Sequence, residues 1–266
     1  MQNNYMNKIF YALMVLGVLV SCADTYSIQG TSNVSTLDGR MLFLKVLKDS
    51  ELKNLDSSEV VHGQFHFAGN IDTTTMATIF MDDESIMPIV LEDGEIAIKL
   101  DNTQQTVSGT PLNDKLFKFI DRYTQLQNQV NELGHKQSLA IMDGEDERVT
   151  NERLMREANE IAMQEDSLVT TFITDNFDNV LGPGVFMMIT AIYQYPELTP
   201  WIEDIMSKAT PKFKNDPYVK DYYQKAQENQ AIMNGMAEPA AATAAQSAVP
   251  LTPSAVNLPV DSSKSE

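Results

Sequence analysis

The chain of 266 residues contains a single cysteine, Cys22. One thiol cannot form an internal disulfide, a Cys-x-x-Cys redox pair, or a zinc or iron–sulfur site built from several thiolates. Basic residues are also scarce: 19 Lys and Arg stand against 37 Asp and Glu, giving a formal net charge of −18. An acidic surface repels phosphates, so no nucleic-acid partner is expected.

Sequence motifs of the common mechanistic classes are missing as well. The chain has no Gly-x-Ser-x-Gly elbow, Walker loop, dinucleotide glycine motif or His-Glu-x-x-His helix. Each of these motifs places particular groups where the chemistry requires them. The sequence therefore predicts no catalytic residue, no cofactor and no metal, and leaves open only an active site of unrecognised type.

The amino terminus has the organisation of an export signal. Residues 1–8 are polar with one positive charge, and residues 9–20 form an apolar run. A helix over that run would be about 18 Å long, too short for the ~30 Å hydrocarbon core of a bilayer. A signal peptide over residues 1–21 is predicted.

The segment Leu19-Val20-Ser21-Cys22 follows at once and resembles a bacterial lipobox. It predicts that the Cys22 thiol carries lipid and that residues 22–25 are a short lipidated tether. Two or more acyl chains hold a protein stably on a membrane. We expect a palmitate-bearing lipoprotein of the cell envelope, at the outer membrane, with its periplasmic or exterior face left open. The alternative is ordinary cleavage near an unmodified Cys22.

Residues 26–109 show the short, period-two pattern of strands. Phe65 and Phe67 fall on one face of a run that follows the dipeptide His62-Gly63, and Asp93-Gly94 separates two further apolar runs. Both dipeptides are typical of two-residue hairpins. The pattern predicts an antiparallel β-sandwich or barrel-like domain.

Residues 110–235 show helical periodicity, so the predicted fold class is α+β. Thr110 and Pro111 suit the N-cap and first position of a helix that Gly134 would close. A second helix would follow an acidic turn at residues 143–147 and end near residue 175, with shorter helices near 184–193 and 200–208. Asp216 and Pro217 would begin a last helix. Residues 236–266, rich in Ala and Pro, are predicted to be a disordered tail.

Turn glycines and strand aromatics combine into a recognisable set: Tyr26-x-Ile28-x-Gly30, Leu37-Asp38-Gly39, Gly63-x-Phe65-x-Phe67-x-Gly69, Leu91-Glu92-Asp93-Gly94 and Val107-x-Gly109-Thr110-x-x-Asn113. The set resembles the domain of unknown function 4369, which precedes the thioredoxin-like domain of AhpC/TSA-type thiol:disulfide oxidoreductases in lipoproteins of Bacteroides-type bacteria. The helical half resembles the connector of those proteins. The resemblance implies an envelope lipoprotein with a strand-rich domain and a helical module.

The chain departs from those relatives where their thioredoxin-like domain would follow. It continues instead into the Ala- and Pro-rich segment and has no second cysteine. Thiol–disulfide exchange needs an attacking and a resolving thiol. That activity is excluded, and the resemblance implies a non-catalytic component.

Several residue groups have a possible ligand role and a plainer explanation. His62 and His66 could bind a metal with Asp56 or Asp72, but a turn and a surface position explain them better. The acidic turn at residues 143–147 invites a calcium interpretation, yet its glycine comes too early for the known loop pattern. The 15 methionines are scattered and fit core packing better than copper handling.

Three aromatic residues, Trp201, Tyr222 and Tyr223, are candidates for a contact surface because such side chains are enriched at interfaces. The predicted function is binding of a protein or peptide partner near the membrane, through a sheet edge or the helical module. The alternative is a small-molecule or glycan-binding protein with a pocket at the junction of sheet and helices. Exposed apolar residues would favour the first, and a pocket with converging polar groups the second.

Overall fold

The computed structural model describes residues 24–48, 51–101, 104–193 and 195–236. The predicted signal peptide, Cys22 and residues 237–266 of the predicted tail lie outside this part of the chain. Asp24 and Thr25 belong to the first strand, so the predicted tether is wrong at these two residues. The Thr25 N–H donates to Asp93 Oδ1 at 2.9 Å, which draws the start of the strand onto a neighbouring loop.

The described strands form two sheets of four strands each. Their bounds are β1 (Asp24–Ser32), β2 (Met41–Lys48), β3 (Glu51–Glu59), β4 (Gln64–Ile71), β5 (Thr75–Met81), β6 (Glu84–Leu91), β7 (Gly94–Leu100) and β8 (Gln105–Ser108). The first sheet has the order β4-β1-β7-β8 and the second the order β3-β2-β5-β6. Helices follow from Pro111 onward, which confirms the α+β class.

The core between the sheets follows from alternation along the strands. In β2, Leu42, Leu44 and Val46 are buried while their neighbours face outward. In the β1–β4 pair, Gly30 lies opposite Phe65. The Phe65 ring occupies the space that a Cβ on Gly30 would fill, with its atoms 2.1–2.4 Å from that position. A glycine is therefore required there by close packing.

The predicted hairpin at Asp93-Gly94 is wrong. β6 ends in the second sheet and β7 begins in the first, so the two strands do not pair with each other. β7 instead runs parallel to β1, with Tyr26 opposite Gly94, and the first sheet is mixed instead of purely antiparallel. Pairing with a strand distant in sequence overrides the local turn propensity.

The turn at His62-Gly63 forms as predicted, but β3 and β4 lie in different sheets, so the predicted hairpin does not extend into a two-stranded ladder. Both residues have positive φ, 53° and 70°, as a type I′ turn requires. Val61 and Gln64 exchange backbone hydrogen bonds of 2.9 and 3.0 Å across it. The turn carries the chain from the second sheet to the first.

Beyond this turn, side chains close the gap between the two sheets. The Ser58 hydroxyl accepts from the His66 N–H at 3.1 Å. Asp56 Oδ2 accepts from the Ala68 N–H at 3.4 Å. The edge donors of β4 are thereby satisfied without a neighbouring strand.

The opposite gap, between β6 and β8, is closed by a helix start. Asn113 is fully buried, and its Oδ1 accepts from the Val90 N–H at 2.9 Å while its Nδ2 donates to the Val90 carbonyl at 2.7 Å. The amide therefore pairs with β6 as a neighbouring strand would. Nδ2 also donates to Thr110 Oγ1 at 2.8 Å.

The cap of the same helix comes from the residue that follows β6. Thr110 occupies the N-cap position, but its side chain caps no N–H. Glu92 Oε1 accepts from the Leu112 and Asn113 N–H groups at 2.8 and 3.1 Å. The sequence correctly located the helix start and assigned the cap to the wrong side chain, because Glu92 is brought there only by the fold.

Helices in the described part of the chain are α1 (Pro111–Met142), α2 (Glu147–Thr174), α3 (Leu181–Thr190), α4 (Pro200–Lys208), α5 (Pro211–Lys214) and α6 (Pro217–Met233). Their core surrounds Phe186, whose ring centroid lies 5.4–6.2 Å from those of Tyr222, Phe213 and Trp201. Val90 of β6 belongs to the same core, which joins the helices to the second sheet. No helix among these residues has the combined length and apolar character that crossing a bilayer demands.

The predicted end of α1 at Gly134 is wrong, because the helix continues to Met142. Gly134 is not among the described glycines with positive φ, so it does not adopt the left-handed helix-ending conformation. The segment beyond it is held by α2: Lys136 Nζ donates to Glu157 Oε2 at 2.5 Å and Gln137 Nε2 to Asn151 Oδ1 at 3.2 Å. His135, the residue after Gly134, is helical and exposed.

Substitution of Asn113 tests the joint between sheet and helix. We expect Asn113→Ala to lower the free energy of unfolding by about 3 kcal/mol, because the buried Val90 N–H and carbonyl lose their partner. Asn131→Ala, at an exposed position on the same helix, should change it by less than about 0.5 kcal/mol. Urea denaturation followed by circular dichroism measures both. Equal stabilities of the two variants would contradict the role given to Asn113.

Candidate functional site

The histidines considered as metal ligands do not converge. His62 is exposed in the turn before β4, and His66 is exposed on β4. Asp56 is engaged in closing the sheet edge. Within the described residues, no group of three or more His, Cys, Asp or Glu side chains is arranged to hold a metal ion.

Carboxylates of the acidic turn at residues 143–147 serve the start of α2. Asp146 caps the helix by accepting from the Val149 N–H at 3.1 Å. Glu145 Oε2 accepts from Thr150 Oγ1 at 2.9 Å and from the Arg153 guanidinium at 3.0 Å. These contacts account for two of the acids by local structure.

The predicted aromatic surface residues occupy different environments. Tyr222 is buried against Phe186, and burial raises the pKa of its hydroxyl. Trp201 is half-buried, and its indole N–H donates to Thr170 Oγ1 at 2.8 Å. Tyr223 is half-buried beside the same core. Tyr222 therefore contributes to the helical core, and the contact role of the three residues stays a prediction.

The outer part of the α1–α2 hairpin belongs to none of the hydrophobic cores. No residue between Tyr123 and Leu168 is a member of those clusters. Farther out, the buried apolar side chains of the two helices are Leu126, Ala140, Leu154 and Ile161. Because α1 and α2 pack on each other, these residues hold the hairpin together as a separate layer.

The end of the hairpin, residues 139–155, is here called the hairpin tip, and it exposes large apolar side chains. The exposed fractions are 57% for Leu139, 67% for Ile141, 81% for Met142, 53% for Val149 and 69% for Met155. Single exposed apolar residues are common, but several together on one small projection are typical of an interaction site.

A second feature is a cleft of about 400 Å³ between the outer face of the second sheet and helices α3 and α6, here called the junction cleft. One wall carries Lys45, Lys48, Leu52, Met76 and Thr78, and the other carries Pro183, Met187, Met188, Asp216 and Tyr218. The inward alternation of β2 leaves Phe43 and Lys45 on its outer face. The cleft therefore forms where the helices cover this face incompletely.

Among the charged groups that line the junction cleft, Lys45 and Asp216 lie on opposite walls. The Lys45 ammonium lies 4.6 Å from the centre of the Phe80 ring and 5.6 Å from that of Phe43. Asp216, half-buried at the N-cap of α6, has a pKa raised by burial, although the Val219 and Tyr218 N–H groups it accepts from act in the opposite direction. Burial also raises the pKa of Tyr218, whose hydroxyl lies 3.2 Å from Thr190 Oγ1.

An open groove of about 820 Å³ runs along α1 beside the β8 edge. It is lined by charged and uncharged polar side chains, among them Asp114, Lys118 and Gln127, together with the rings of Phe117 and Tyr123. Burial and the nearby Glu165 carboxylate raise the pKa of Tyr123 to about 12, so its hydroxyl is protonated at neutral pH and can donate a hydrogen bond.

The sequence placed the alternative ligand pocket at the junction of sheet and helices, but it assigned no residue to either cavity. Lys45 is one lysine in a strand, and Asp216 was recognised only as the start of a helix. β2 and α6 come together only when the strand-rich and helical halves pack on each other. The number of residues between Lys45 and Asp216 therefore does not indicate that they share a cleft. The sequence did not indicate the hairpin tip, because a helix end at Gly134 excludes the continuation of α1 to Met142.

The raised pKa of Asp216 predicts a pH effect on stability. The folded chain binds this proton more tightly than the unfolded chain, so the contribution of Asp216 to stability falls as pH rises above the ordinary aspartate value of 3.8. Asn also caps helices well. Relative to wild type, Asp216→Asn should therefore gain stability between pH 4 and neutrality, as measured by urea unfolding at a series of pH values. A constant difference between the two proteins would show that burial does not perturb this carboxyl.

Comparison with known proteins gives one family match, and it falls on the strand-rich half. No curated protein matches the chain at a significant level. The model of DUF4369, a domain of unknown function, matches residues 26–116. The matched segment includes both sheets, Glu92 and Asn113, and it ends just inside α1. Residues 26–116 are therefore a DUF4369 domain, and the chain continues beyond it into a helical module.

Proposed function

We propose that this protein is a lipid-anchored, non-catalytic component of the cell envelope that binds a protein partner through the hairpin tip. The observation that supports it is the group of exposed apolar side chains at the end of a projecting helical hairpin. Removing such surface from water contributes roughly 25 cal/mol per Å². Burial of these side chains by a partner would therefore favour binding, and the side chains are not part of the hydrophobic cores of the described fold.

The reach of the hairpin fits this role. α1 has 32 residues, and at about 1.5 Å per residue it is about 48 Å long. Asn113 fixes its first turn to the sheet, so the tip lies at the far end of the helix. Two of the exposed residues there are Met142 and Met155, whose flexible side chains adapt readily to a partner surface.

Charge at the tip indicates the chemistry of the partner. In the described part of the chain, the Asp143 and Glu147 side chains have no ion pair, whereas Glu145 and Glu152 are paired with arginines. We infer a partner with an apolar patch bordered by basic residues, because complementary charges favour association and fix its orientation.

The anchor is proposed from the lipobox-like segment that ends at Cys22. β1 starts at Asp24, two residues later, and two extended residues span only about 7 Å. A lipid on Cys22 would hold the DUF4369 domain close to the membrane surface.

A second candidate function is binding of a small ligand at the junction of sheet and helices. The junction cleft favours it, because Lys45, which forms no ion pair within the described residues, and the half-buried Asp216 line one largely apolar cavity. Cavities of this kind, mostly apolar with a few polar groups, are typical of ligand sites.

The anchor is tested by replacing Cys22 with serine. Cys22→Ser should abolish the mass of the attached lipid and move the protein from the membrane pellet to the soluble fraction of the envelope. Mass spectrometry of the purified protein and fractionation measure the two effects. Retention of Cys22→Ser in the membrane, at the wild-type amount, would refute lipid anchoring at this residue.

The hairpin tip is tested by site-specific photo-crosslinking in the native envelope. A photoreactive residue at Met142 should give one abundant protein adduct, and Ile141→Asp with Val149→Asp should reduce it at least tenfold by placing charge in the contact. A photoreactive residue at Leu55, an exposed apolar position on β3, is the matched control. The same adducts at equal yield from both positions would contradict a specific contact at the tip.

A further inference from the structure

We propose that the junction cleft binds a zwitterion of amino-acid or dipeptide size that carries an apolar side chain, with its carboxylate toward Lys45 and its ammonium group toward Asp216. The proposal deepens the second candidate function and is independent of the hairpin tip. It rests on the charges, the lining and the size of this cleft.

The carboxylate-binding group is Lys45 on the sheet wall. The side chain is half-buried and lies over the Phe80 ring. Within the described residues it forms no ion pair, although the chain has almost twice as many acidic as basic residues. Lys48 lines the same wall. This side of the cleft is therefore a positive region on an acidic protein.

The ammonium-binding group is Asp216 on the helical wall. Its Oδ1 accepts from the Tyr218 and Val219 N–H groups at 3.0 and 3.2 Å. Oδ2 has no hydrogen bond in the described part of the chain, and it is not among the fully buried side-chain atoms without a partner. It therefore keeps access to solvent, on a residue that lines the cleft. Asp221 also lines this wall, but its Oδ2 accepts from Lys225 Nζ at 2.8 Å.

Between the two charges the cleft is apolar. Met76 and Pro88 line it from the sheet, and Met187 and Met188 from α3. Gly184 faces Met76 so closely that a Cβ there would lie 2.8 Å from Met76 Cγ. An apolar side chain of the ligand would fit among these groups, and thioethers adapt to its shape.

The separation of the charges selects a ligand with both signs. Lys45 and Asp216 form no ion pair across the cleft, so each keeps its capacity for a charge-assisted hydrogen bond. A simple anion or cation would leave one wall unpaired. A volume of about 400 Å³ is at the small end of the ~300–1,000 Å³ found for ligand pockets, which suits an amino acid or a dipeptide.

The experiment is isothermal titration calorimetry of the full-length protein with leucyl-leucine. N-acetyl-leucyl-leucine, which lacks the ammonium group, and leucyl-leucinamide, which lacks the carboxylate, are the matched probes. We expect leucyl-leucine to bind at least tenfold more tightly than either blocked form. Equal affinity of all three, or no heat of binding with leucyl-leucine at millimolar concentration, would overturn the proposal.

Two variants assign the ends of the ligand. Lys45→Met keeps an apolar stem over Phe80 and should remove the preference for a free carboxylate, and Asp216→Asn keeps the helix cap and should remove the preference for a free amine. Lys99→Met, an exposed lysine on β7 of the first sheet, and Asp146→Asn, the capping aspartate of α2, are controls that should bind as wild type.

The site would be refuted if Lys45→Met kept the preference for a free carboxylate and Asp216→Asn kept the preference for a free amine. It would also be refuted if the control variants lost both preferences. The hairpin variants Ile141→Asp and Val149→Asp should titrate as wild type. Failure of partner crosslinking is therefore distinguishable from failure of the cleft.

Discussion

The structure depends on the buried side-chain amide of Asn113, which hydrogen-bonds to the edge strand β6 of the second sheet. Val90 lies at the free edge of β6, and a backbone N–H and carbonyl at such a position need partners once water is excluded. Asn113 supplies both, and Glu92, the residue that follows β6, caps the helix that carries Asn113. Strand edge and helix end therefore satisfy each other, and this fixes the direction in which α1 leaves the DUF4369 domain.

Beyond this joint, the arrangement of the helices depends on how much of each helix packs against the core around Phe186. The first turns of α1 and the last turns of α2 pack with α3 to α6 around Phe186. The outer turns pack only on each other, so the pair projects as a hairpin with apolar residues at its end. A layer two helices thick buries one stripe of each helix and leaves the remaining faces to solvent. The tip is exposed because the hairpin is longer than the core against which its base packs.

Incomplete coverage also explains the junction cleft. The outer face of the second sheet is covered by α3 and α6 through Phe80, Met187 and Tyr218, but the helices leave a space where β2 presents Lys45 and α6 presents its capping Asp216. A half-buried capping aspartate with only one oxygen hydrogen-bonded, and with no ion pair among the described residues, is more costly than a solvated one. A ligand ammonium group would offset that cost.

Periodicity along the chain was enough to assign the α+β class, the His62-Gly63 turn, the start of α1 and the bounds of α4, because each depends on residues that are near neighbours in sequence. Local signals failed at Asp93-Gly94 and Gly134, where a parallel partner strand and a packed partner helix outweighed the turn and cap propensities. The cap by Glu92, the pairing of Asn113 with Val90, the exposed hairpin tip and the meeting of Lys45 with Asp216 were decided by the tertiary structure alone. These features depend on residues whose spacing in sequence follows neither the helix nor the strand period. Only the packing of the sheets against the helices brings such residues within hydrogen-bonding distance or into one cleft.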